Sequence, residues 1–158
     1  MTKILFVCHG NICRSPMAEF VMKHLVKKHG VEKEFIIESA ATTREEIGAD
    51  IHPGTQQELR LRGIPFEHRN ARQFMPVEYE QWDYIVAMDY ENLHHLRHYT
   101  GGDQNNKINL LLSFAGQDRG VADPWYTGNF GVTFDDVLWG CTALLDKIIG
   151  KHNSQKLN

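Results

Sequence analysis

Residues Lys3 to Glu19 constrain the fold most tightly, because they join an apolar strand to a helix start through a loop with Cys-x5-Arg spacing. Ile4-Leu5-Phe6-Val7 is a short continuous apolar run, the pattern of a strand buried on both faces of a parallel sheet. Cys8-His9-Gly10-Asn11-Ile12-Cys13-Arg14 follows, then Ser15-Pro16, a favoured N-cap residue with proline at the first helical position. A helix N-terminus offers unpaired N–H groups and roughly half a unit of positive charge, which favours a bound anion and a deprotonated cysteine. Cys8 is therefore expected as a thiolate beneath a nest of amides, with Arg14 adding two parallel charge-assisted bonds to a tetrahedral oxyanion. Gly10 and Asn11 both tolerate the positive φ that a tight nest requires.

The 158-residue chain, 42% hydrophobic and 23% charged, fits a single domain over residues 1–158 with a core stable without disulfides and a frayed polar end at 151–158. A net charge of -3 argues against a general nucleic-acid or membrane surface, so neither partner is expected. Cys8, Cys13 and Cys141 do not make a secreted disulfide framework, which points to a reducing compartment and a cytoplasmic location. No apolar run approaches the roughly 18 residues of a membrane span, and Met1-Thr2-Lys3 with four apolar residues is too short for a signal peptide.

Apolar residues at Met17, Phe20, Val21 and Leu25 continue the first helix from Pro16 to Lys28, and Gly30 is placed to end it. Phe35-Ile36-Ile37 reads as a second strand, followed by a polar loop and a short helix from Pro53 to a stop at Gly63. Tyr84 to Met88 supplies a third strand, and Asp89 is placed to cap a helix to about His98. Ile108 to Leu111 reads as a fourth strand, although Leu110 to Leu112 equally suits a helical turn. Ser113 to Thr133 has no clean period, and Phe134 to Gly150 is a helix with Val137, Leu138, Cys141, Leu144, Leu145, Ile148 and Ile149 on one apolar face. Strands alternating with helices imply a doubly wound parallel α/β sheet, whose ligands bind beyond the carboxyl ends of the strands.

If Cys8 attacks phosphorus, an acid is needed to protonate the departing oxygen. The long segment offers Asp123-Pro124-Trp125-Tyr126, with Asp123 as the candidate acid and Trp125 and Tyr126 as candidate walls for an aromatic substrate. The same aspartate also suits a plain turn cap before proline.

Cys8 to Pro16, Ser39-Ala40-Ala41-Thr42, Ala71-Arg72-Gln73, Asp83-Tyr84-Ile85 with Met88-Asp89, and Asp123 to Tyr126 together resemble the low-molecular-weight protein tyrosine phosphatases, in order and over nearly the whole chain. The resemblance implies a four-stranded parallel sheet of order 2-1-3-4, helices on both faces and a phosphate loop after strand 1. It implies hydrolysis of phosphotyrosine in protein substrates with no cofactor and no metal, and inhibition by phosphate or other oxyanions. Cys8 would become a phosphocysteine, and Arg14 and the loop from His9 through Gly10, Asn11, Ile12 and Cys13 would hold the phosphoryl oxygens. Asp123 would protonate the phenolic oxygen and then activate water. Ser15 would stabilise the thiolate, Asn11 would fix the loop's shape, Cys13 would form a reversible disulfide with Cys8, and Arg72 with Glu38 would tie the second strand to the loop behind it.

Three positions depart from the family pattern. His9 stands where an apolar wall residue is usual, the family's His-x-Ala-Arg-Gln reads His68-Arg69-Asn70-Ala71-Arg72-Gln73 with one residue more, and Trp125 replaces the commoner tyrosine. Cys8, His9 and Cys13 lack the further ligands of a tetrahedral metal site. A thiol-dependent arsenate reductase would carry a cysteine pair near residues 80 to 90, where this chain has none, and a phosphoarginine phosphatase of the same family typically has threonine in place of Ile12. Cys13 suits both a redox role and simple packing, Cys141 reads as core, and Arg44, Glu45 and Glu46 suit either a solvated surface or the rim of the pocket.

Overall fold

The computed structural model describes residues 1–157, with side chains through Lys151. Four strands, β1 (Thr2–Cys8), β2 (Phe35–Ala41), β3 (Tyr84–Ala87) and β4 (Ile108–Leu110), form one parallel sheet in the order β2-β1-β3-β4, as the resemblance implies. Helices α1 (Arg14–Lys28), α2 (Pro53–Leu61), α3 (Tyr90–Tyr99), α4 (Pro124–Thr127) and α5 (Phe130–Leu157) connect and cover it.

Strand β1 lies at the centre because it is apolar on both faces. Ile4, Phe6 and Cys8 point into one cluster with Met17, Phe20 and Val21 of α1 and Val137, Cys141 and Leu144 of α5. Leu5 and Val7 point into the other with Ile85, Leu93 and Leu96, beneath α3. Full burial of each such side chain contributes about 1.5–3 kcal/mol, so the central strand is fixed from both sides. Strand β2 is longer than Phe35–Ile37 because all seven of its residues pair with β1, from Thr2 with Phe35 to Cys8 with Ala41. Both readings of the fourth strand are realised in sequence: β4 ends at Leu110 and a 3-10 helix covers Leu111–Ala115.

Two helix boundaries differ from the expected ones. Helix α1 begins at Arg14, with Cys13 at the N-cap and no side-chain cap, so Ser15 and Pro16 lie inside the first turn. The Ser15 hydroxyl is occupied by Cys8 and Asn11 and is not spent on capping. Helix α5 starts before Phe134 and runs past Gly150, and Leu138 stands partly exposed on it. Of the expected frayed end, the side chains beyond Lys151 and all of Asn158 lie outside the described residues. No helix among the described residues is long and apolar enough to cross a membrane.

Every strand ends at the same edge, so the segments after β1, β2, β3 and β4 bring Cys8–Arg14, Thr42–His52, Met88–Asp89 and Gly116–Asp123 together there.

Candidate active site

The loop from Cys8 to Arg14 is turned inside out relative to ordinary buried backbone. Its carbonyls face the protein and each of five accepts a hydrogen bond: Cys8 from the Thr42 amide at 2.9 Å, His9 from the Thr43 amide at 3.2 Å and hydroxyl at 2.9 Å, Ile12 from the His52 amide at 2.9 Å, and Cys13 from the Met17 amide and Thr55 hydroxyl, both at 3.3 Å. The fifth, Asn11, accepts from the Arg69 guanidinium. The amides of His9 through Cys13 donate to no acceptor among the described residues, which leaves a row of free N–H donors around Cys8.

Asn11, 1% exposed, is the residue of the Cys8–Arg14 loop that takes the left-handed conformation, at φ 59°. Its side-chain amide donates to Ser15 Oγ at 2.8 Å and Ser39 Oγ at 2.9 Å, while its Oδ1 accepts from the Arg72 amide at 3.2 Å. Ser39 in turn donates to Glu19 at 2.6 Å, and Lys23 pairs with Glu19 at 2.7 Å. The Ser15 hydroxyl accepts from Asn11, lies 3.1 Å from Cys8 Sγ and has the Ala40 carbonyl at 3.4 Å as the other acceptor for its hydrogen. A Cys8 thiol therefore donates to it, and a Cys8 thiolate would draw the hydrogen away from that longer contact. Gly10 does not adopt positive φ; a Cβ there would sit 3.2 Å from Glu46 Cγ, so close approach is what its small size serves.

Arg14 is 3% exposed and lines the same cavity as Cys8, and two carboxylates hold its guanidinium there: Asp89 at 2.9 Å and Asp123 at 3.3 Å, with the Val121 carbonyl at 3.3 Å. Burial opposes the charge, but Cys8, Asp89 and Asp123 more than offset it and hold Arg14 above the usual arginine value. Asp89 was legible as the α3 cap, which it is, accepting from the Asn92 amide at 2.8 Å; its second oxygen holding Arg14 was missed. A Cβ on Gly120 would lie 2.8 Å from Asp89 Cβ, so glycine is what lets the Asp123 segment approach α3.

Asp123 is both a cap and part of the site. Its Oδ1 accepts from the Trp125 amide at 3.0 Å while Oδ2 faces Arg14. The residue before it is fixed from α5: Asp136 accepts from the Ala122 amide at 3.0 Å and is clasped by both Arg119 nitrogens at 2.9 Å and 2.8 Å. Thr133 also donates to the Ala122 carbonyl at 2.8 Å. Burial works against the Asp136 charge, but Arg119 and the Ala122 amide outweigh it and lower its pKa below the usual carboxylate range.

These segments enclose an open cavity of about 350 Å³ lined by Cys8, His9, Gly10, Ile12, Cys13, Arg14, Glu45, Glu46, Asp89, Glu91, Asn92, Asp123, Trp125 and Tyr126. Trp125 and Tyr126 stand at the mouth, 73% and 86% exposed. His9 Nε2 meets Glu45 at 2.7 Å and its Nδ1 is 3.9 Å from Glu91, so Glu45 belongs to the rim. Asn11 and Ser15 lie behind the wall. Burial, then Cys8 and Asp123, push the Cys13 thiol up to about 12. Arg72 bridges Glu38 at 3.4 Å and Glu78 at 3.0 Å, and Cys141 is fully buried.

His68 does not reach the loop; it pairs with Asp50 at 2.6 Å. Counting back from Ala71, the position two residues earlier is Arg69, and it is Arg69 that bonds the Asn11 carbonyl. Burial lowers the Arg69 pKa from the ordinary arginine value, against the pull of Glu19, Cys8 and Asp50.

Residues 3–155 match the family model described as low molecular weight phosphotyrosine protein phosphatase. The chain belongs to that family. It is 42% identical to the low molecular weight protein-tyrosine-phosphatase YfkJ of Bacillus subtilis, over 94% of this chain and 96% of that one. The YfkJ crystal structure superposes with a TM-score of 0.91 at 40% identity, covering 96% of each chain. The low molecular weight protein tyrosine phosphatase SP-PTP of Streptococcus pyogenes gives 0.86 at 38% identity over 98% of each. A Drosophila arginine phosphatase gives 0.84 at 32% identity, over 93% of this chain and 98% of that one.

Proposed function

We propose that this low-molecular-weight phosphatase hydrolyses phosphotyrosine in protein substrates, with Cys8 as nucleophile, Arg14 as phosphate-binding residue and Asp123 as general acid and base. The observation that carries the reading is the placement of a buried sulfur, a ring of free amides and an arginine–carboxylate pair around one cavity. In the first step the Cys8 sulfur forms a bond to phosphorus as the phosphorus–oxygen bond to the phenol breaks, and Asp123 gives the departing oxygen its proton. Arg14 and the amides of His9, Gly10, Asn11, Ile12 and Cys13 hold the three equatorial oxygens. In the second, the Asp123 carboxylate takes a proton from water, which attacks phosphorus, breaks the sulfur–phosphorus bond and leaves phosphate and the Cys8 thiolate. These side chains and water balance both steps without a metal or cofactor.

Ser15 supports the thiolate through its hydroxyl, and Trp125 and Tyr126 flank the ring of the leaving group. Inorganic phosphate and other oxyanions compete for the nest. A cytoplasmic setting suits an enzyme whose nucleophile must stay reduced.

The names borne by relatives include both a tyrosine and an arginine phosphatase. Ile12 lines the cavity with a branched apolar side chain, which favours an aryl ester over a charged guanidinium. Steady-state rates on phosphotyrosine, phosphoserine and phosphoarginine peptides, for the wild type and Ile12→Thr, decide the matter. Preference for phosphotyrosine in the wild type is expected, with phosphoarginine activity rising in Ile12→Thr; a wild type that prefers phosphoarginine would overturn the assignment.

A further inference from the structure

Five carbonyls of the Cys8–Arg14 loop are held from outside, four of them by backbone amides or hydroxyls and one, Asn11, by a charged side chain. That side chain, Arg69, sits in an irregular segment and is pinned at several points. Its backbone amide donates to Asp50 at 3.2 Å, its Nη1 to the Ala49 carbonyl at 3.4 Å and its Nη2 to the Asn11 carbonyl. Its Nε is buried with no partner among the described residues. A guanidinium held under a loop with one donor unused is an expensive arrangement, and a neutral donor would serve if bonding the carbonyl were all that was needed.

The peptide it bonds gives the charge a purpose. The Asn11 carbonyl and the Ile12 N–H belong to one trans peptide unit, so when the oxygen points back at Arg69 the hydrogen points the opposite way, into the nest. A cation on the carbonyl polarises that unit and strengthens the N–H as a donor at its far end. The same bond holds Asn11 at its left-handed φ.

We propose that Arg69 is a positioning residue of the phosphate loop, fixing and polarising the Asn11–Ile12 peptide so that the Ile12 amide binds the oxyanion, and the Cys8 thiolate, more strongly. Arg69 touches no substrate. The proposal rests on the nest being the anion site, and it extends that reading to a residue that lies outside the cavity.

The test uses full-length wild type, Arg69→Gln and Arg69→Lys. Inorganic phosphate is titrated against alkylation of Cys8 by iodoacetate, so that phosphate affinity is read from protection without any turnover, and kcat and KM are measured on an aryl phosphate. Arg69→Gln is expected to weaken phosphate protection roughly tenfold, the scale of one charge-assisted bond, with a matching fall in kcat/KM; Arg69→Lys should recover a large part of both. Melting temperature separates this from loss of fold, since a merely structural role would lower stability equally in both variants without a charge-dependent change in phosphate affinity. Unchanged phosphate affinity in Arg69→Gln, or equal losses in the Gln and Lys variants, would overturn the proposal. Should phosphate protection behave as described while no aryl phosphate is hydrolysed, the assigned reaction fails and the role of Arg69 stands.

Discussion

Ser15 Oγ lies 3.1 Å from the sulfur of Cys8, seven residues earlier in the chain, with Ser15 inside the first turn of α1. Asn11 donates to the same hydroxyl oxygen, so the serine hydrogen has only the Ala40 carbonyl, at 3.4 Å, and the sulfur to choose between, and a thiolate is the stronger acceptor. Ser15→Ala removes that bond while leaving the helix intact. Hydrogen bonds to charged groups contribute about 1.5–3 kcal/mol, so the rate of Cys8 alkylation near neutral pH and kcat should each fall about tenfold or more. KM should change little. Unchanged alkylation would remove Ser15 from any part in stabilising the thiolate.

Asp123 faces Arg14 at 3.3 Å across the cavity, and its acid role predicts a leaving-group dependence. Asp123→Ala should slow phenyl phosphate by about 10²–10⁴-fold, the usual span of general acid catalysis, and an activated nitrophenyl ester far less. The check is a plot of log kcat against leaving-group acidity, which should steepen in the variant. Equal losses on both esters would leave Asp123 only its turn-capping function.

Asp136 reaches no substrate but fixes Ala122, the residue before Asp123. Asp136→Asn keeps the shape and loses the charge clasped by Arg119, so it should reproduce the leaving-group dependence of Asp123→Ala at smaller amplitude. The folded-state pKa of Asp136 is lowered, so the stability it contributes is present above the unfolded carboxylate value and is lost as pH falls through the folded one. Acid unfolding should therefore begin at higher pH in Asp136→Asn. Equal stability of the two proteins at neutral pH, where the contribution is fully present, would mean the clasp adds nothing.

Cys13 shares the cavity with Cys8, yet its thiol is pushed from 9.0 up to about 12 by burial, Cys8 and Asp123. At neutral pH it is protonated, so iodoacetamide should label Cys8 and spare Cys13, with Cys13 labelling appearing only in strongly alkaline solution. For this group stability is fully present below the unfolded value and is lost as pH rises through the folded one. Mass spectrometry of peptides labelled at pH 7 checks the order; comparable labelling of both thiols would contradict it. Peroxide-treated wild type that recovers with thiol better than Cys13→Ser would favour the redox reading of Cys13 over simple packing.

Local pattern carried the sheet: β1 could be read because it is apolar on both faces, α3 because Asp89 is a cap, and the Cys8 loop because Cys-x5-Arg is followed by helix-start residues. Pattern failed where a side chain's partner lies far away in the chain. Ser15 and Pro16 look like a cap and a first helical residue, and the start moved to Arg14 because Asn11 and Cys8 claim the serine hydroxyl. Asp89 gave no sign of holding Arg14, 75 residues away. His68 attracted attention as a histidine before Ala71, but the turn of an irregular segment decides which side chain faces the loop, and it presents Arg69. Trp125 and Tyr126 do line the cavity, as the aromatic pair beside Asp123 suggested, but at its open mouth, where both stay largely exposed.

The phosphocysteine on Cys8 is the centre of the account, and rapid quenching with a phosphotyrosine peptide tests it most directly. Intact-mass and peptide mapping of the quenched enzyme should find one phosphoryl group on the Cys8 peptide, none in Cys8→Ser, and turnover persisting in the presence of a metal chelator. Hydrolysis at the wild-type rate by Cys8→Ser, or a phosphoryl group trapped on any other residue, would contradict it.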